Sequence, residues 1–186
     1  MSPDELKAIE LTANATVWLA MATFVLAILT SAVAWFTYQL AKESKESSYR
    51  QIGVQTWLEM QKRFDSNEIV NQRKILVGKM KNYKKSDHHK ISETVLNFFE
   101  DVGILYKKEL IDKDLTDSSF SFHASRWYEI CKHYIDAERK RHKEDESLFE
   151  HFEYLANEFR KIHPEDIIDE SELKIFLEDE SRLVTD

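Results

Sequence analysis

The stretch Ala13–Ala41, ANATVWLAMATFVLAILTSAVAWFTYQLA, runs for 29 residues without one charged side chain. About 20 apolar residues suffice to cross the hydrocarbon core of a bilayer as a helix, so this run predicts a transmembrane helix. Trp18 stands near one end and Trp35, Phe36 and Tyr38 near the other, as interfacial aromatic belts do. The tail before the run, Ser2-Pro3-Asp4-Glu5-Leu6-Lys7, is acidic. A cleaved signal peptide has a basic start and a shorter apolar stretch, so the reading is an uncleaved anchor.

The flanks predict an orientation. Lys7 is outnumbered by Asp4, Glu5 and Glu10 on one side, whereas Lys42, Lys45 and Arg50 follow on the other. Positive charge stays on the cytoplasmic side, which puts the N-terminus outside the membrane and the C-terminal part in the cytoplasm. The expected organisation is a tail over 1–12, a membrane helix over 13–41, a juxtamembrane helix over 42–66, a helical domain over 67–163 and an acidic helix or tail over 164–186.

Within the apolar run, Ala13, Thr16, Ala20, Thr23, Ala27, Thr30, Ala34, Thr37 and Ala41 recur at alternating spacings of three and four. Every one is Ala or Thr. A repeat of 3.5 residues holds one face when helices wrap left-handedly, and small side chains let backbones approach where lipid offers no hydrophobic drive. The stripe continues to Ser44 and Ser48, and it predicts a homo-oligomer. The alternative is a polar lining, unless the hydroxyls bond to their own helix carbonyls.

The rest of the chain is all-α by pattern. Only 3 Gly and 2 Pro punctuate 186 residues, too few for a sandwich, a barrel or a Gly-rich nucleotide fold. Ile52, Trp57, Met60 and Phe64 extend the first helix to about Phe64, where Asp65-Ser66-Asn67 breaks it. Ser66 then caps a helix over Glu68–Met80 with Ile69, Val70, Ile75 and Leu76 inward. Further helices carry the stripes Ile91, Val95, Phe98, Phe99, Val102 and Leu105; Phe122, Trp127, Ile130, Cys131 and Tyr134 from about Ser118 to Lys143 after a turn at Thr116; and Leu148, Phe152, Leu155, Phe159 and Ile162 before Pro164. A last helix holds Leu173, Phe176 and Leu177.

Leu96-Asn97-Phe98-Phe99-Glu100-Asp101-Val102-Gly103, Leu110-Ile111-Asp112, Trp127 and Phe149-Glu150-His151-Phe152-Glu153-Tyr154-Leu155 resemble a bacterial family of uncharacterised proteins. That family combines one N-terminal membrane helix with a helical cytoplasmic domain. The resemblance implies a fold but no activity and no catalytic residues. It also leads one to expect a glycine before the Leu-Ile-Asp turn, where this chain has Glu109.

Charge is unevenly spread. Glu68–Lys90 holds seven basic residues against two acidic ones, whereas Pro164–Asp186 holds two against nine. Arg73, Lys74, Lys79, Lys81, Lys84 and Lys85 are therefore the candidate ligand-binding residues, for anionic lipid headgroups, an anionic nucleotide or a protein partner. The plainer alternative is a solvated face balanced by the acidic tail. DNA is not expected as a partner of a chain with net charge −8.

Catalytic patterns are sparse. Arg126 and His133, seven positions apart on one helix, resemble the Arg-x(4–6)-His motif of HEPN-type ribonucleases, in which arginine stabilises charge on a phosphate and histidine moves protons. Trp127 stands where that motif usually has a polar residue. His142 with Glu146, and Glu150 with His151, offer metal donors, but Lys140, Arg141 and Lys143 crowd the first pair with positive charge, so no metal is expected. Cys131 reads as a buried apolar residue, and Glu100, Asp101, Glu150 and Glu153 as caps or lysine partners. No cofactor motif accompanies them. The leading expectation is a non-enzymatic, membrane-anchored homo-oligomer whose cytoplasmic domain binds a ligand or partner and signals to the membrane, as a stress or antiviral effector would.

Overall fold

The computed structural model describes residues 3–81, 92–166 and 168–183. Six helices and no strand occur among them: α1 Pro3–Phe64, α2 Asn67–Lys81, α3 Thr94–Lys107, α4 Lys113–Arg141, α5 Glu150–Ile162 and α6 Glu170–Ser181. The all-α expectation holds. The chain divides into two compact units, Met1–Ser48 and Tyr49–Asp186.

The first unit is the N-terminal part of α1. One helix in the described residues is long and apolar enough to cross a membrane; its best 18-residue window, within Glu10–Phe64, has mean hydropathy 2.2 and no buried residue. Such length without a break follows from composition, since no Gly or Pro falls between Pro3 and Gly53 and Ala and Leu are the commonest residues there.

The second unit is a bundle. Its core is aromatic: Phe64, Phe98, Phe99 and Phe120 form a cluster with ring centroids 5.2–5.8 Å apart. Edge-on and tilted contacts suit the positive edges and negative faces of the rings. Trp127, Phe152, Leu155 and Phe159 complete the core from α4 and α5. Where α1 enters this unit, Gly53 is buried and its carbonyl accepts the Asp112 N–H at 3.2 Å. A β-carbon at Gly53 would stand 3.2 Å from that nitrogen, so glycine permits the approach. Trp57 adds an indole N–H to Ser119 Oγ at 3.1 Å.

Local chemistry sets the helix boundaries. Ser66 Oγ accepts the Ile69 N–H at 3.3 Å, the expected cap of α2. Asp112, not Thr116, caps α4 by accepting the Leu115 N–H at 3.0 Å. The helix therefore starts at Lys113, ahead of the expected Ser118, and Thr116 turns inward to the Asp112 carbonyl at 2.5 Å. On α2 the inward stripe is Ile69, Val70, Leu76 and Val77, while Ile75 is 46% exposed. From Ile69, steps of four, seven and eight reach the buried 73, 76 and 77, but the sixth step, to 75, lands off the face. On α4 the same shift buries Phe120 and leaves Phe122 half exposed. Ile91 of the α3 stripe lies outside the described residues.

The most extensive helix pair is α3 with α5, built from the segments that suggested the family resemblance. Phe99 stacks on Phe152 at 5.1 Å. Phe149 has φ 57° and no capping side chain of its own, so the free N–H groups at the start of α5 need an acceptor. Glu100 of α3 supplies it: its carboxylate accepts the Phe152 N–H at 2.8 Å and the His151 N–H at 3.3 Å, and meets His151 Nδ1 at 2.8 Å. Gly103, one turn on, lets the His151 backbone approach so closely that a β-carbon there would stand 2.2 Å from the His151 carbonyl oxygen. Glu100 is thus a cap supplied by another helix.

Candidate functional site

In the N-terminal unit, all nine residues from Ala13 to Ala41 that form the small-residue stripe are exposed. Their hydroxyls are turned into the helix: Thr16, Thr23, Thr30 and Thr37 each donate to the carbonyl four residues back, at 2.8 Å. A hydroxyl spent in this way leaves its methyl group to present outward. The stripe is therefore a face of methyl groups rather than a polar lining. Ser48 bonds back to Ser44 in the same manner.

In the C-terminal unit, the basic candidates separate. Arg73 is 4% exposed and belongs to the interior. Its Nε donates to Glu180 Oε2 at 2.7 Å, Nη2 pairs with Glu180 Oε1, and the guanidinium lies 4.3 Å from the Phe64 ring. It is withdrawn from any open patch by a carboxylate 107 positions away. Lys74 and Lys79 are half-buried. Lys81 ends α2, and Lys84 and Lys85 lie outside the described residues. The basic α2 and the acidic α6 therefore meet directly.

His123 of α4 is the third member of that meeting. Its Nδ1 lies 3.3 Å from Glu180 Oε1, within ion-pair reach but without the alignment of a hydrogen bond. Burial pushes the Glu180 carboxyl up, yet the His123 ring and the Arg73 guanidinium together outweigh that and hold it below the ordinary carboxylate range.

Arg126 and His133 part company as well. Arg126 is 6% exposed; it donates to the Phe122 carbonyl at 3.2 Å, stacks 3.7 Å over the Phe122 ring and meets Glu172 of α6 at 3.4 Å. His133 is exposed on the surface. One side chain thus ends under α6 and the other in solvent.

Cys131 is completely buried, and burial pushes its thiol well above the ordinary range, which removes the thiolate on which reactivity depends. No group of three or more potential metal-binding side chains occurs among the described residues. A surface cleft of about 600 Å³ beside the end of α4 is lined by Asp136, Glu144, Glu146, Glu150 and Glu153 together with Arg139 and Lys140, so acidic groups outnumber basic ones there. Within it, Arg139 pairs with Glu153 at 2.8 Å.

The joint surface of α2, α4 and α6, carrying Arg73, His123, Arg126, Glu172 and Glu180, was not legible as a unit in the sequence. Its only advance signal is the opposite charge of the two segments.

The chain belongs to the family described as Domain of unknown function (DUF4760), whose model matches residues 16–159. The match covers α2, α3, α4 and most of α5, and stops before α6. No curated protein and no solved structure matches the chain.

Proposed function

We propose that this family member is a membrane-anchored homo-oligomer, N-terminus outside, whose C-terminal helical unit lies in the cytoplasm, binds a ligand or partner and signals to the membrane as an effector. The observation that carries the reading is the stripe of nine exposed small residues whose hydroxyls are satisfied internally. A helix with an 18-residue window of mean hydropathy 2.2 and no covering there needs lipid or other helices around it, and a smooth methyl face lets copies of itself approach closely. The Lys and Arg residues after the apolar run support the orientation. The helical domain would act through its own binding equilibrium: a ligand biases the membrane helices only by preferring one of their arrangements.

The test is assembly in detergent. Full-length protein is sized, and single cysteines at Thr23→Cys or Thr30→Cys are crosslinked, with and without Ala20→Leu and Ala27→Leu. Those leucines keep the segment apolar but put bulk at the contact. Loss of crosslinking and a smaller assembly are expected. Crosslinking that is indifferent to both leucines would sink the proposal.

A further inference from the structure

α6 is attached to the rest of its unit in an unusual manner. Only Phe176 and Glu180 of this helix are buried. Glu172, Phe176 and Glu180 follow one another at four-residue steps and so share one face, an acid, an aromatic ring and an acid. Each has a counterpart waiting. Glu172 meets Arg126 at 3.4 Å, Phe176 sits among Phe122, His123 and Trp127 at 5.4–5.9 Å, and Glu180 takes Arg73 and His123. Beside them an open groove of about 510 Å³, lined by Ile130, Leu173 and Leu177 among others, remains between α4 and α6. The buried Trp127 also has an indole N–H without an acceptor among the described residues.

α6 thus adds one ring to the core and is otherwise held by ion pairs to Arg73 and Arg126. A helix held for stability alone does better with apolar contacts, because two buried charges each lose their water and recover little beyond that loss. An ion pair instead selects: only a partner with the right charges at the right spacing satisfies it. When such a helix leaves, both partners regain water, so its departure is easier than that of Phe152 or Phe159 from the core. Arg73, His123 and Arg126 lie on α2 and α4, within the residues that the family model matches, and α6 lies beyond them.

We propose that the face of α2 and α4 bearing Arg73, His123 and Arg126 is a binding site for an acidic amphipathic helix of pattern acid-x3-aromatic-x3-acid, and that α6 is its built-in, autoinhibitory occupant. The partner is a helix of that pattern on another protein, which binds when α6 yields. This supplies the chemistry of the binding step proposed above and stands independently of the membrane assembly, which the crosslinking test decides separately.

The experiment uses full-length protein in detergent and a labelled synthetic peptide of residues 168–183. A released chain carries Glu172→Gln, Phe176→Ala and Glu180→Gln. It should bind the peptide at least about tenfold more tightly than the wild-type chain, in which tethered α6 competes at an effective concentration on the order of millimolar. Adding Arg73→Gln to the released chain should abolish binding, as should glutamine at both acids of the peptide. Hydrogen exchange of the released chain should keep α3, α4 and α5 protected. Equal binding by wild-type and released chains, no binding by a released chain that keeps this protection, or loss of protection throughout the bundle would each overturn the proposal. So would binding of inorganic tripolyphosphate in place of the peptide, which would reassign the face to a phosphate ligand.

Discussion

Gly103→Ala tests the account of how α3 and α5 meet. The new β-carbon would stand 2.2 Å from the His151 carbonyl oxygen, 2.6 Å from its carbon and 3.1 Å from the His151 β-carbon. Comfortable contacts between such atoms begin near ~3.5 Å, so the two helices must separate by about 1 Å, and the atoms in the way are backbone. Overpacking of this kind costs roughly 1–3 kcal/mol, and the upper end applies because no side chain can swing aside. Separation also stretches the three bonds by which Glu100 caps α5, a further loss of about 1 kcal/mol. Alanine recovers about 1 kcal/mol of helix propensity. The net expectation is a destabilisation of about 3 kcal/mol, or roughly 10 °C in the unfolding temperature of the C-terminal unit. Gly78→Ala is the matched control: a β-carbon there meets nothing within 4 Å on an exposed part of α2, so the same chemical change should stabilise by about 0.5–1 kcal/mol. Thermal unfolding of full-length protein in detergent, followed by tryptophan fluorescence, reads both. Equal shifts for the two variants would refute the close approach of α3 to His151.

Three further outcomes are expected. Glu109 has φ 56°, and the Leu110 N–H reaches back to the Leu105 carbonyl at 2.9 Å while the Glu109 N–H reaches Tyr106, the closing pattern that favours glycine. Glu109→Gly should therefore raise stability by about 1 kcal/mol in the same unfolding assay, although it removes an exposed pair with Lys113. Cys131, buried with its thiol pushed up, should resist iodoacetamide in the native protein and react only after denaturation; labelling at native pH would contradict its position in the core. Glu180 has a folded pKa below its ordinary value of 4.5, so its contribution to docking α6 is complete above that value and is lost as pH falls through the folded pKa. A spin label at Ser181→Cys should become mobile across that acid range, and adding Glu180→Gln should remove the transition.

The sequence by itself determined the helices and the apolar N-terminal segment. Both are written in neighbouring residues: an uncharged run needs only composition to declare itself, and a period near 3.6 needs only one helix. The spacing of Ala and Thr, the cap at Ser66 and the stop before Pro164 are equally local. What only the tertiary structure decided is which partner each helix meets. Glu100 caps a helix that starts fifty positions later, and Arg73, which reads locally as one of several surface cations, is claimed by Glu180 from 107 positions away. The φ of Glu109 shows the same limit from the other side, since the turn requires glycine-like geometry and the chain adopts it without glycine. Charge and periodicity act along the chain, but burial is a property of the packed bundle. A guanidinium becomes a binding group or a structural one according to what the fold brings over it.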